Sequence, residues 1–161
     1  MTQDTAKRME VTIISDREVR ITRIFDAPRE RVWQCFSDPK LLAQWWGRGN
    51  RLDVDHFEFK KGGHWRFVEH NGDETHGFEG RFREITPIER ISWTFEWDGM
   101  PGYPSIDTID FEDLGDGRTR VVTHGMFFTK EECDGMLQSG MEGGLAQSYA
   151  ALDRLLERSR R

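Results

Sequence analysis

The sequence predicts an α+β fold in which an antiparallel sheet of about seven strands folds around one long C-terminal helix, with two short helices after the first strand. Three observations carry this prediction. Two short helical segments end at Trp45-Trp46-Gly47; strand and turn signals then run almost unbroken from Arg51 to Phe128. Met141, Leu145, Tyr149, Leu152 and Leu156 then recur at helical spacing and form a single apolar stripe. Such a layout often leaves a hollow between sheet and helix, and function is sought there.

Taken in order, residues 17–26 alternate, with Val19, Ile21 and Phe25 on one parity, and read as a strand. Asp26 and Pro28 signal a helix start, the first as a side-chain acceptor for orphan amides and the second as a ring pre-set to helical φ. Val32, Trp33 and Phe36 make its apolar face, and Asp38-Pro39 stops it and starts a second helix that ends at Gly47. Strands follow over 52–59, 64–70, 75–85, 90–97, 105–113 and 118–127. They are joined by glycine- and asparagine-bearing turns at Gly62-Gly63, Asn71-Gly72 and Asp116-Gly117. Each link is too short for a crossover, so an antiparallel meander is expected.

Period-two parity places Phe78, Gly80 and Phe82 on one face, as it does Ile91, Trp93, Phe95 and Trp97, and Ile109 with Phe111. Glu79, Arg81 and Arg83 occupy the opposite face. An antiparallel sheet with one aromatic and one charged side must have the aromatic side covered. The first and second strands after the helices are less clear-cut, because Phe57 and Phe59 oppose Val54 in parity. Arg20, Arg23, Arg66, Arg81 and Arg83 alternate with carboxylates and read as cross-strand pairs on the wet face. Thr129 to Glu132 fits a helix-capping box opening a short helix to about Ser139.

The whole chain, 1–161, is expected to be one domain, with residues 1–10 as a flexible tail. The net charge of −6 argues against nucleic acid, whose phosphates require clustered Lys and Arg. No apolar run reaches the roughly 18 residues of a membrane span, and no secretory apolar core opens the chain, so the cytoplasm is expected. Cys35 and Cys133 read as buried thiols of a reducing compartment.

Ala27-Pro28, Val32-Trp33, Asp38-Pro39, Trp45-Trp46-Gly47, Gly62-Gly63, Gly80 to Ile85 and Pro87 to Ile91 occur in one order and spacing. In this pattern, from about Val19 to Leu156, the chain resembles the START-like helix-grip (SRPBCC) superfamily. Within it, the chain is similar to the proteins related to the activator of heat-shock protein 90 ATPase. The resemblance implies a curved sheet gripping the long helix, with a mostly apolar cavity between them. It implies no catalytic residues, since the superfamily spans lipid and polyketide binders, aromatase/cyclases and a chaperone-activator domain. Two departures stand out: Arg48 where many relatives carry proline, and Leu145 where many carry tryptophan.

The expected function is binding of a small hydrophobic molecule, lipid-like, aromatic or polyketide-like, between sheet and helix. The expected lining is Trp46, Phe67, Phe78, Phe82, Trp93, Phe95, Phe111, His124, Met141 and Leu145. The alternatives are a cyclase or hydrolase acting on a polyketide-like substrate, with His124 as acid/base, and a co-chaperone-like interaction domain. No histidine has a ligand spacing suited to metal, and no cofactor motif occurs, so neither metal nor cofactor is expected. A two-fold homodimer is the expected assembly if the chain associates. Gly143-Gly144, near the start of the long helix, is a candidate hinge.

Overall fold

The computed structural model describes residues 9–159. β1 (Glu10–Ser15) and β2 (Glu18–Phe25) form a hairpin, followed by helices α1 (Arg29–Ser37) and α2 (Pro39–Leu42). Then come β3 (Arg51–Phe57), β4 (His64–Asn71), β5 (Glu74–Thr86), β6 (Arg90–Trp97), β7 (Ser105–Asp113) and β8 (Thr119–Met126). Helices α3 (Lys130–Gln138) and α4 (Met141–Arg158) close the chain. The strands make one sheet in the order β1-β2-β8-β7-β6-β5-β4-β3, with every pair antiparallel. This is the helix-grip architecture: a meander from β3 to β8 is extended by β2 on β8, and α4 is gripped by the curved inner face.

The eighth strand is β1, which was not expected from the sequence. It pairs only with β2 and buries neither face; Ile13 is 66% exposed. Its ladder hydrogen bonds hold it, and consecutive Ile13-Ile14 hide any period of two. The expected tail over residues 1–10 falls mostly outside the described residues, and Glu10 already belongs to β1.

The helix starts also differ from expectation. Pro28 is the residue before α1, with ψ 155° and no side-chain cap, whereas Asp38 caps α2 by accepting a 2.9 Å bond from the Lys40 amide. The aspartate-then-proline start thus operates at Asp38-Pro39. At α3, the Glu132 amide donates to the Thr129 hydroxyl at 3.1 Å, and that hydroxyl donates in turn to the Glu132 carboxylate.

Two bulges explain where strand parity breaks. The register of β3 on β4 shifts between Val54 and His56, so Val54 and Phe57 both reach the core despite opposite parity. A second shift between Phe82 and Glu84 turns Ile85 inward after Phe82. Gly80 is required on β5 because a β-carbon there would lie 1.9 Å from the Thr94 carbonyl oxygen.

The core lies beneath the C-terminal half of α4, where Tyr149, Leu152, Leu155 and Leu156 are buried against Phe25, Val32, Phe36 and Trp45. The Trp45 indole donates a 2.9 Å hydrogen bond to the Cys35 carbonyl and ties the two short helices together. Cys35 and Cys133 are free and buried. The stripe expected along α4 therefore divides. Its C-terminal half fills the core, whereas Met141 and Leu145 at its N-terminal half are only partly buried. One arginine expected on the wet face is inward: Arg23 is 5% exposed and pairs through both guanidinium nitrogens with Asp153 of α4.

Candidate functional site

Where the N-terminal half of α4 lifts from the sheet, a cavity of about 330 Å³ opens. Its floor is the inner face of β6 and β7, with Trp93, Phe95, Trp97, Ser105, Asp107 and Ile109. One side is walled by Val19 and Ile21 of β2, Thr123 and Gly125 of β8, and Phe127 just beyond. Met141, Gly144, Leu145, Ser148 and Tyr149 of α4 form the roof, and Trp46, Gly47 and Arg48 close the end beside Phe78.

Six of the ten residues expected from sequence line this space: Trp46, Phe78, Trp93, Phe95, Met141 and Leu145. Four do not. Phe67, Phe82 and Phe111 have the inward parity but lie in the packed core. Phe111 stacks edge-on against Trp33 and Phe36, Phe82 against Phe57 and Phe59, and Phe67 contacts Trp46 and Trp65. Alternation tells which face a side chain takes but not how far along the groove it sits. His124 faces outward, because Thr123 and Gly125 hold the inward positions of β8; its ring meets Glu18 at 2.9 Å, and its side chain is 40% exposed. No group of three or more His, Cys, Asp or Glu suited to a metal ion occurs among the described residues.

The end of the cavity is held by the Trp-Trp-Gly-Arg-Gly loop. Gly47, Arg48 and Gly49 all have left-handed φ, of 76°, 64° and 76°. Such a path suits glycine and strains arginine. Tertiary contacts hold Arg48 there: its amide donates to the Ser148 hydroxyl at 2.7 Å, and its guanidinium makes a two-pronged pair with Glu69 at 2.7 and 3.0 Å. Asn50 also donates to Glu69, at 2.8 Å. The loop is thus tied to both α4 and β4. A β-carbon at Gly143 would meet nothing and one at Gly144 would make ordinary contact with Arg48, so neither glycine is demanded by close packing.

Asp107 is the polar feature that sequence reasoning missed, although its parity with Ile109 and Phe111 marks it as inward. Protein surrounds it, yet its carboxyl keeps accessible surface toward the cavity. One oxygen accepts from the Trp93 indole N–H at 3.3 Å; the other lies over Gly125, 3.4 Å from where a β-carbon would stand. Burial pushes the carboxyl up from near 3.8 to about 6, opposed by the Trp93 bond and by the charge of His124. Burial likewise pushes the Tyr149 phenol up to about 12, against a hydrogen bond with Thr123.

A carboxyl that holds its proton more tightly when folded stabilises the fold below its unfolded pKa, and the contribution is lost as pH rises through the folded value. For Asp107 that window runs from about pH 4 to about pH 6. A shift of this size corresponds to at most about 3 kcal/mol, and water in the cavity lowers it to about 2 kcal/mol. Asp107→Asn should therefore stabilise the protein by about 2 kcal/mol at pH 7.5 and by nearly nothing at pH 4. Urea unfolding of both proteins at both pH values checks this; an equal difference at the two pH values would mean the carboxylate is fully hydrated in place.

Residues 26–157 match the family model described as activator of Hsp90 ATPase homolog 1-like protein. The chain belongs to this family. No curated protein matches it. Among solved structures, a protein from Rhodobacter sphaeroides is 25% identical with a TM-score of 0.85, covering 94% of this chain and 99% of that one. A protein from Chromobacterium violaceum is 29% identical with a TM-score of 0.72, over 87% and 97% of the two chains. DynU16, a protein of the dynemicin biosynthetic locus, is 22% identical with a TM-score of 0.69; the match covers 89% of this chain but 48% of that one. No helix among the described residues is long and apolar enough to cross a membrane.

Proposed function

We propose that this protein binds a small, compact and largely apolar molecule in the cavity between the sheet and the N-terminal half of α4. The observation that carries the proposal is the cavity itself. At about 330 Å³ it lies within the range of small-molecule sites, and its wall is mainly aromatic and aliphatic with a few inward polar groups. Trp46, Phe78, Trp93, Phe95, Met141 and Leu145 are the proposed contact residues, joined by Trp97 and Tyr149. Apolar contact supplies most of the affinity, and Asp107, Thr123 and Ser148 orient the molecule.

A second reading is acid–base chemistry on the bound molecule, favoured by one observation: Asp107 is a cavity carboxyl whose pKa of about 6 suits proton transfer near neutrality. Asp107 takes the role that sequence reasoning gave His124. The chaperone-partner reading draws on the family's description alone.

Four tryptophans of the wall, Trp45, Trp46, Trp93 and Trp97, make emission a direct readout. Titration with a panel of small aromatic hydrocarbons should shift or quench emission, and Leu145→Trp, which fills part of the space, should weaken the response by about ten-fold or more. Native mass spectrometry of the purified protein should find a retained small molecule where one co-purifies. A flat titration across the panel would reject the proposal.

A further inference from the structure

The geometry points to a more specific ligand: a compact apolar body bearing one protonated amine, seated with its ammonium group on Asp107. This inference rests on the binding function proposed above and adds the chemical class of the ligand.

Asp107 is under-satisfied. A carboxylate offers about four acceptor sites. Here a single indole N–H reaches one oxygen, at 3.3 Å, and the other receives no hydrogen bond from the described residues. That free oxygen is not covered by packing either. Its neighbour on β8 is Gly125, where any side chain would press toward it, so the carboxyl stays open to the cavity. An unpaired carboxylate enclosed by apolar groups is strongly disfavoured, and a cation with N–H donors is the partner that relieves it best.

The surroundings favour a cation over a neutral donor. Aromatic rings line the β6 side of the carboxyl, with Trp93 directly across the β6–β7 ladder and Phe95 and Trp97 further along the same strand. Ring faces attract cations, and they do so more strongly where water is excluded. The basic groups of the wall are Arg48, whose guanidinium is already engaged by Glu69, and His76, whose ring meets Glu74. Arg23 is likewise engaged by Asp153. His124 lies behind the sheet and pairs with Glu18. The Ser148 hydroxyl accepts from the Arg48 amide and keeps its own proton to donate, and the Tyr149 phenol is bonded to Thr123; neither carries charge. Among the described residues, the one inward charge without a protein counterion is therefore negative, at the base of an aromatic wall.

A matched series tests this by calorimetry at pH 7.5: indane, 2-indanol, 2-aminoindane and indane-2-carboxylic acid, each against the wild type and Asp107→Asn. The amine should bind at least about ten-fold tighter than indane and 2-indanol, a difference of about 1.4 kcal/mol, and the acid should bind weakest. Asp107→Asn should bring the amine to within about two-fold of indane. Equal affinity for indane and the amine, an alcohol as tight as the amine, a preference for the acid, or an amine preference that survives in Asp107→Asn would each overturn the inference while leaving the cavity's binding role standing. Failure of all four compounds to bind would instead sink the binding function.

Discussion

Asp153→Ala should destabilise the protein by about 3 kcal/mol, the expected result of leaving a buried arginine without its counterion. Arg23 projects from the inner face of β2 into the groove, where solvent reaches 6% of its side chain. One guanidinium nitrogen donates to the Ile24 carbonyl at 2.8 Å and to Asp153 at 3.2 Å, and the other donates to the second Asp153 oxygen. The pair clamps the middle of α4 to the sheet, just past the point where the helix begins to fill the core. Removing the aspartate strands a charge that cannot leave without breaking β2 pairing. Converting both partners, in Arg23→Leu/Asp153→Leu, removes the stranded charge and should recover most of the loss. Urea unfolding at pH 7 measures both. A loss under about 1 kcal/mol in Asp153→Ala would show the pair to be solvent-screened, with no clamping role.

Arg48→Pro should be at least as damaging, at about 3 kcal/mol or more. The family resemblance carries the expectation of proline after the Trp-Trp-Gly, so the substitution tests whether this loop has room for it. Here residue 48 has a φ of 64°, whereas proline is confined near −65°, and its amide donates to Ser148. Proline would thus force the loop to rebuild, remove its bond to α4, and leave buried Glu69 with only Asn50 as a donor. Arg48→Lys keeps the amide, the charge and the backbone path but loses the two-pronged contact with Glu69, and should cost about 1–2 kcal/mol. If Arg48→Pro proved no worse than Arg48→Lys in thermal unfolding, the left-handed path would not be a property of this loop in solution.

These two positions show how unevenly the fold can be read from the chain. The order of elements, the meander, the long helix and the aromatic face all follow from local pattern, because helix and strand periods and turn chemistry are written within a few residues of each other. The inward parity of Phe78, Trp93 and Phe95 belongs to that legible part. β1 does not, since a strand exposed on both faces carries no alternation. The change of face around Val54 and Phe57 is visible as a conflict, and only the bulge between Val54 and His56 resolves it.

The candidate site was legible in half measure for the same reason. Phe67, Phe82 and Phe111 have the right face and the wrong depth, because parity carries no information on where a curved sheet meets its helix. Adjacent Val121-Val122 conceals the parity of β8, and so His124 was assigned to the inner face when Thr123 and Gly125 occupy it. Asp107 shares parity with Ile109 and Phe111, but a charged residue in an alternating strand is ordinarily read as solvated.

By itself, then, the sequence determined every strand but β1 and the helices, which face of the sheet is aromatic, and that the last helix must cover it. The tertiary structure alone decided that α4 packs tightly only over its C-terminal half, that Arg23 turns inward to meet Asp153, and that Asp107 stands at an open space. The physical reason is range. Periodicity and capping are local, whereas curvature, bulge position and the partner of a buried charge depend on segments that meet only when β2 closes on β8 and α4 folds back across them.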